Sequence, residues 1–221
     1  MTALGAWTLL VFAAWLAVPF LLAGTVAWPA GWLHLGAVTA GALAERLHVA
    51  RANPALWQRR RRVGPGTKAW DLGWNALFWP LMASIAAVAG LQHGLQGDSM
   101  GPAAWPPGLA LVGAGFLLSA WAMGANPFFE GTVRIQVEVG HRVFQGGPYR
   151  RVRHPGYLGL LLWALGTPLL LRSTWAVGPA LLAAGWVVLR TGLEDATLRR
   201  ELAGYQAYAA HTRWRLLPGA W

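Results

Sequence analysis

The 221-residue chain is 56% hydrophobic and only 12% charged, with 15 tryptophans, whereas a soluble domain carries about 25% charge. Eighteen Lys and Arg against eight Asp and Glu leave a net charge of +10. The cations fall in loops between long apolar runs, so the positive-inside rule accounts for them and no nucleic-acid partner is expected. The absence of cysteine excludes disulfides, thiolate metal sites and cysteine nucleophiles, and no HExxH pattern points to a metal.

Residues 4–22 are almost wholly apolar and long enough to cross a hydrocarbon core that needs about 20 residues. The first basic residue is Arg46, so this run lacks the cationic start of a secretory signal and reads as a retained helix. After a turn around Trp28-Pro29, residues 31–44 are predicted as a second helix, short for a full span. His34 inside it reads either as bonded to a neighbouring helix or as an intramembrane functional group. Residues 45–69 are polar, with Arg46, Arg51, Arg59, Arg60, Arg61, Arg62 and Lys68. They read as a cytoplasmic loop that faces phospholipid or binds an anionic substrate. Residues 70–91 form the third predicted span. Near its start Asp71 and Asn75 lie one turn apart, either sharing a pocket or marking a helix start favoured by the dipole. Residues 92–108 contain no Lys or Arg and are placed on the outer side. Residues 109–124 form the fourth span, with Trp105 and Trp121 suited to the interfaces.

Residues 125–153 carry Arg134, Arg142, Arg150, Arg151 and Arg153 and are therefore placed on the cytoplasmic side. Within them, 133–139 alternates strictly, which predicts a short extended segment with Val and Ile on one face and Arg134, Gln136 and Glu138 on the other. Such a segment has unpaired edges and must lie over the protein rather than in lipid. Residues 157–171 and 175–191 form an apolar hairpin turned at Arg172-Ser173-Thr174, followed at once by Glu194 and Asp195. In the tail, 197–211 spaces Leu198, Leu202, Tyr205 and Tyr208 as an amphipathic surface helix. The expected fold is all-α: a polytopic helical membrane protein of five or six transmembrane helices, one domain over 1–221. Its parts are N-terminal helices (1–124), a C-terminal region (125–221), a polar cytoplasmic segment and a C-terminal amphipathic helix. With both termini cytoplasmic, Arg172 alone among the basic residues falls outside.

The polar residues converge on one side. A hairpin returns its second arm to where the first began, so Glu194 and Asp195 are expected beside His154–Tyr157. Carboxylates favour an ammonium or ribose hydroxyls, and arginines favour a carboxylate or phosphate. Pro and Gly around 147–148 and 155–156 leave backbone groups free. An amino-acid-like cofactor with an attached nucleoside would use all of these. The plainer alternative has Arg153 snorkelling to phosphate and Glu194 paired with Arg190 or Arg199.

Gly147-Pro148-Tyr149, Arg153-His154-Pro155-Gly156-Tyr157-Leu158-Gly159, the acidic pair, Gly204-Tyr205-x-x-Tyr208 and Arg215-Leu216-Leu217-Pro218 resemble the isoprenylcysteine carboxyl methyltransferase family and its phospholipid methyltransferase relatives. The likeness covers about 126–221. It implies an integral membrane methyltransferase using S-adenosylmethionine held in a cytoplasmic pocket. Carried over by position, Gly147, Pro148, Tyr149, His154, Pro155, Tyr157, Leu158 and Gly159 would hold the cofactor. Glu194 and Asp195 would stand for the family's acidic pair, usually two Glu. Arg153 or Arg134 would position a carboxylate acceptor. For an amine or thiol, Glu138 or Glu130 would be the base. Gln136 and Asn126 are assigned to the acceptor, a lipophilic small molecule or membrane lipid. The Ala-, Arg- and Trp-rich composition reads as bacterial, which would place the chain in an inner (plasma) membrane. Two other readings are a small-molecule transporter, which the nearly charge-free spans disfavour, and a haem protein ligated by His34 and His93.

Overall fold

The structure, a computed structural model, describes residues 17–59 and 63–221. Most of the predicted first span (4–22) and the arginines Arg60, Arg61 and Arg62 lie outside the described residues. The described chain is helical: α1 (17–23), α2 (Pro29–Ala52), α3 (Pro54–Arg59), α4 (Ala69–Gln96), α5 (Trp105–Ala125), α6 (Pro155–Leu170), α7 (Val177–Glu201) and α8 (Tyr205–His211). Short 3-10 turns occur at Pro102–Ala104, Val137–Val139 and Gly147–Arg150.

Helix ends follow the breakers more closely than they follow hydropathy. α2 does not stop at 44 but continues through the polar residues to Ala52, because the first obstacle is Asn53-Pro54, where a residue preceding proline is pushed out of the helical region. Asn53 uses its side chain to join helices: Nδ2 donates to the carbonyls of Met123 (3.2 Å) and Asn126 (3.1 Å), and Oδ1 accepts from the Leu56 N–H. α4 likewise runs five residues past its predicted end and stops at Gly97, whose φ of 76° favours glycine. α2, α5 and α6 each place proline in the first turn, where the missing N–H has no intrahelical partner to lose.

α5 and α6 pack most intimately, on a ladder of glycines seven residues apart. Gly115 faces Gly159 and Gly108 faces Gly166. A Cβ on Gly159 would lie 2.7 Å from the Gly115 carbonyl oxygen, and one on Gly166 would lie 3.0 Å from that of Gly108. Bare backbones let the helices approach closely, as small residues do between membrane helices. Gly159→Val is therefore expected to cost about 1–3 kcal/mol by overpacking, seen as a lower melting temperature in detergent. An unchanged melting temperature would show that the interface yields freely.

α7 is tied to α4 by a reciprocal staple. Trp74 Nε1 donates to the Trp186 carbonyl (2.7 Å), and Trp186 Nε1 donates to the Trp74 carbonyl (3.1 Å). At the opposite end from the 125–153 segment, Asp98 gathers Trp28 Nε1 (3.1 Å), His93 Nδ1 (2.7 Å) and Arg172 Nη1 (2.9 Å). His93 thus carries a structural partner on one ring nitrogen and stacks on Trp28, 5.0 Å between centroids.

Among the described residues, two helices are long and apolar enough to cross a membrane, Ala69–Gln96 and Pro102–Ala125. Large apolar side chains project outward from the helices: Leu72, Leu77, Trp79, Leu117, Leu181 and Leu182 are all exposed. Contiguous surfaces of this kind are disfavoured in water and mark contact with lipid or a partner.

Two expectations for the cytoplasmic segment are corrected. Residues 133–139 form no strand; 133–136 is irregular and 137–139 a 3-10 turn closed by left-handed Gly140. Burial does not alternate either: Val133, Arg134 and Gln136 are all buried and Ile135 partly so, while Val137 is 80% exposed and Glu138 and Val139 also face out. The alternation pattern assumes an apolar core, and here the interior is a polar cleft. The predicted helix over 197–211 is two helices. α7 continues to Glu201, a break at 202–204 turns on Gly204 (φ 80°), and the short α8 follows. Leu202, Tyr205, Tyr208 and Ala209 are buried against Ile135, Val143 and Leu198, so α8 closes over the 125–153 segment.

Candidate functional site

Val152 to Tyr157 form an unbroken buried run, polar residues included, and the partners explain why this is tolerable. Arg153 N–H donates to the Trp214 carbonyl and His154 N–H to that of Arg215, both at 2.9 Å, so the C-terminal tail completes the backbone hydrogen bonding at the start of α6. Below this seam, Asp195 is a hub. Its Oδ1 accepts from Arg153 Nε (2.7 Å) and Tyr205 Oη (3.0 Å) and lies 3.3 Å from His154 Nε2. Its Oδ2 accepts from Arg153 Nη2 (3.1 Å), Arg199 Nε (3.0 Å) and Arg215 Nε (3.1 Å). Burial opposes this carboxylate, but the hydrogen bonds from His154 and Arg153 outweigh it and hold its pKa well below the usual range. Burial, reinforced by the neighbouring Asp195, raises the Tyr205 hydroxyl pKa, so it remains a neutral donor.

Arg153 spends its remaining donors on the carbonyls of Thr212 (2.8 Å) and Arg213 (2.7 Å). It is 3% exposed and does not snorkel. Nor does it reach an acceptor as the sequence suggested, because its guanidinium is committed on every nitrogen.

A second cluster holds the other side. Arg190 pairs bidentately with the fully buried Asp71, Nε–Oδ1 2.8 Å and Nη2–Oδ2 3.1 Å, and Nη2 also donates to the Gly131 carbonyl. Its guanidinium carbon lies 4.3 Å over the Trp74 ring and 5.2 Å from the centre of Tyr157. Asp71 also accepts from Asn75 Nδ2 (3.3 Å) and from the Val133 N–H (2.8 Å), which pins the 125–153 segment to the start of α4. Arg190 Nη1 makes no hydrogen bond among the described residues. Tyr157 Oη donates to Glu194, a carboxylate with no second partner there.

Between these clusters lies a cleft of about 780 Å³. Of the residues picked out from sequence, Asn126, Glu130, Arg134, Gln136, Tyr149, Arg153, His154, Tyr157 and Glu194 line it. Gly147, Pro148, Pro155, Leu158, Gly159, Glu138 and Asp195 do not. Gly159 faces α5, as above, and Leu158 packs on the apolar core. Gly147, with φ 53°, turns against Trp121. The expected neighbourhood of Glu194 and Asp195 with His154–Tyr157 is present. The anticipated pairings of Glu194 with Arg190 or Arg199 are not: those arginines bind Asp71 and Asp195.

Arg134 is held by Glu130 (2.7 and 2.9 Å) and by Glu138 Oε1 (2.5 Å). The hydrogen bond from Arg134 keeps the Glu138 carboxyl below its usual pKa. Residues that sequence reasoning overlooked as lining are Phe128, Phe129, His141, Phe144 and Arg190. Arg190 was visible only as a cation near a span end, and its partner Asp71 is 119 residues away. Gln136 is 2% exposed. Its Nε2 donates to the Phe128 carbonyl at 2.7 Å, while its Oε1 is buried with no hydrogen-bond partner.

With this geometry in place, the comparison with known proteins is specific. The model of the isoprenylcysteine carboxyl methyltransferase (ICMT) family matches residues 108–200. The resemblance lies with this family. The matched stretch runs from α5 to the last turn of α7, so it holds the glycine ladder, the 125–153 segment and the acidic pair. Two proteins from Oryza sativa, one from subsp. indica and one from subsp. japonica, carry the description "Probable protein-S-isoprenylcysteine O-methyltransferase". Each is 40% identical to this chain over 65 residues, 29% of this chain and 34% of theirs. The match thus spans about a third of the length of those relatives. Both are plant proteins, which lends nothing to the bacterial origin that composition suggested.

Proposed function

We propose that the chain is an integral membrane methyltransferase that uses S-adenosylmethionine and modifies a lipophilic acceptor bearing a carboxylate. The carrying observation is the cleft between the Asp195 and Asp71–Arg190 clusters, lined by the segment that matches the family. The residues present fit an amino-acid-like cofactor with a base. Glu194 has acceptor capacity for an ammonium, Arg190 Nη1 has donors for a carboxylate, and Gln136 Oε1 is an orphaned buried acceptor. When bound, the cofactor supplies an activated sulfonium methyl group. The protein then has to align an acceptor with it and exclude water. Tyr149, His154 and Tyr157 would form the cofactor wall. Gly147, Pro148, Pro155, Leu158 and Gly159 would shape that wall from behind, by fixing the turn and seating α6 on α5.

The state of the acids favours a carboxylate acceptor. Glu130 and Glu138, the candidate bases, are both tied to Arg134, and a lowered pKa makes Glu138 a poor base. A carboxylate ionises by itself near pH 7 and needs none. Asn126 and the phenylalanines Phe129 and Phe144 would contact the acceptor. Arg153 and Arg134, committed to Asp195 and to Glu130 and Glu138, are withdrawn from positioning the acceptor.

The exposed apolar side chains of α4, α5 and α7 support a membrane location, and we read the chain as one domain of five or six crossings. The 16 residues of α6 extend about 24 Å, short of a core of about 30 Å. If α6 crosses, its start lies near or below the headgroups. A lipophilic acceptor then reaches the cleft without leaving the bilayer.

Calorimetric titration of the detergent-solubilised protein with S-adenosylhomocysteine tests the reading. Saturable binding is expected, weakened about tenfold or more in Glu194→Gln, in line with loss of a charged hydrogen bond. No heat from folded protein would remove the proposal.

A further inference from the structure

We infer that Gln136 and His141 form a base-reading subsite that selects a 6-aminopurine, so that one end of the cleft distinguishes the nucleoside of the ligand. The inference rests on the cofactor reading above and deepens it. Gln136 carries the first argument. Its amide is not free to turn, because Nε2 is fixed on the Phe128 carbonyl at 2.7 Å. Oε1 is therefore the atom left in the cleft, buried and without a partner. A buried unsatisfied acceptor costs about 1–3 kcal/mol, and a ligand that donates to it recovers that cost. The donor must be an N–H or O–H.

His141 supplies the complement. The Gln136 backbone N–H donates to His141 Nδ1 at 3.3 Å. With Nδ1 accepting, the neutral ring carries its proton on Nε2 and is a donor there. Burial lowers the His141 pKa, which keeps the ring neutral and this tautomer in place. Nε2 makes no hydrogen bond among the described residues. The ring also lies 4.8 Å from Phe128 at 31°, so the pair forms an aromatic surface on which a flat base can lie. The cytoplasmic segment thus presents one fixed acceptor, one fixed donor and an aromatic face, all within 128–141.

An adenine edge answers both: its exocyclic N6 amino group donates and its ring N1 accepts. A 6-oxopurine inverts both, with an oxygen at position 6 and an N–H at N1. Gln136 Oε1 would then face an oxygen and the His141 donor an N–H. A site built to hydrogen-bond a polar group rejects an analogue lacking it far more strongly than an apolar pocket rejects a missing methylene.

The test compares S-adenosylhomocysteine with S-inosylhomocysteine by calorimetry on the full chain in detergent. Wild type is expected to bind the inosyl analogue about 10- to 100-fold more weakly. Gln136→Leu is expected to bind both ligands with similar affinity, near that of wild type for the inosyl analogue. His141→Phe keeps a ring against Phe128 and should lose part of the discrimination. It serves as the second probe if Gln136→Leu does not fold. Equal binding of the two ligands by wild type overturns the subsite while leaving the methyltransferase reading intact. Full discrimination retained in the folded variants overturns the residue assignment. Failure of wild type to bind either ligand overturns both.

Discussion

Asp195→Ala is expected to be among the most destabilising single substitutions in the chain. The carboxylate is 1% exposed and is shared by Arg153, Arg199, Arg215, His154 and Tyr205. Removing it leaves the Arg153 guanidinium buried without a counter-charge, a change that costs about 3–5 kcal/mol. Thermal unfolding in detergent should show a large fall in melting temperature, and Asp195→Asn a smaller one because part of the hydrogen bonding survives. The dependence on pH has a definite sign. Folding lowers this pKa below its unfolded value of about 3.9. The stabilisation is therefore complete above pH 4 and is lost as pH falls further toward the folded pKa. The gap in melting temperature between wild type and Asp195→Ala should hold steady from pH 7 to 5 and narrow below pH 4. A constant gap at pH 3 would mean that the hub does not act through its charge.

The second large effect falls on Arg190. Arg190→Met strips the partner from Asp71, which is fully buried, and should cost about 3–5 kcal/mol for the same reason. Adding Asp71→Asn removes the stranded charge and should restore much of that stability, since a neutralised pair is tolerated far better than a broken one. The double variant separates architecture from binding. Its affinity for S-adenosylhomocysteine should remain reduced by about 10- to 100-fold, because Nη1 is gone whatever the stability. A double variant that melts near wild type and binds like wild type would remove Arg190 from the ligand's contacts.

These two clusters show what the sequence made legible and what it did not. The apolar runs located the helices, and the hairpin argument correctly brought Glu194 and Asp195 beside His154–Tyr157. Hydropathy misjudged where helices end, because a helix continues through Glu45, Arg46 and Arg51 until a breaker such as Asn53-Pro54 stops it. Alternation at 133–139 failed because the chain there follows a polar cleft and buries Arg134 and Gln136 as well as Val133. The Arg-His-Pro string drew attention to Arg153, whose nearest role is to hold the fold together. Arg190 keeps one nitrogen without a hydrogen bond among the described residues, and nothing local to 190 announces its bond to Asp71. Glycine 159 stood in the same string, yet its neighbour is Gly115 on the facing helix. A linear motif records which residues are needed in one place. It does not record whether each meets the ligand or the residue behind it.

The seam between the start of α6 and the C-terminal tail also bears on biosynthesis. Arg153 takes acceptors from Thr212 and Arg213, which are made 59 and 60 residues later. At about 5–20 residues per second, translation leaves roughly 3–12 s in which Arg153 and His154 exist without that tail. By the end of this interval α6 and α7 are complete, while the polar start of α6 still lacks half of its hydrogen-bonding partners. The cleft therefore assembles last, and a chain cut short before Thr212 would retain its helices and lack a finished site.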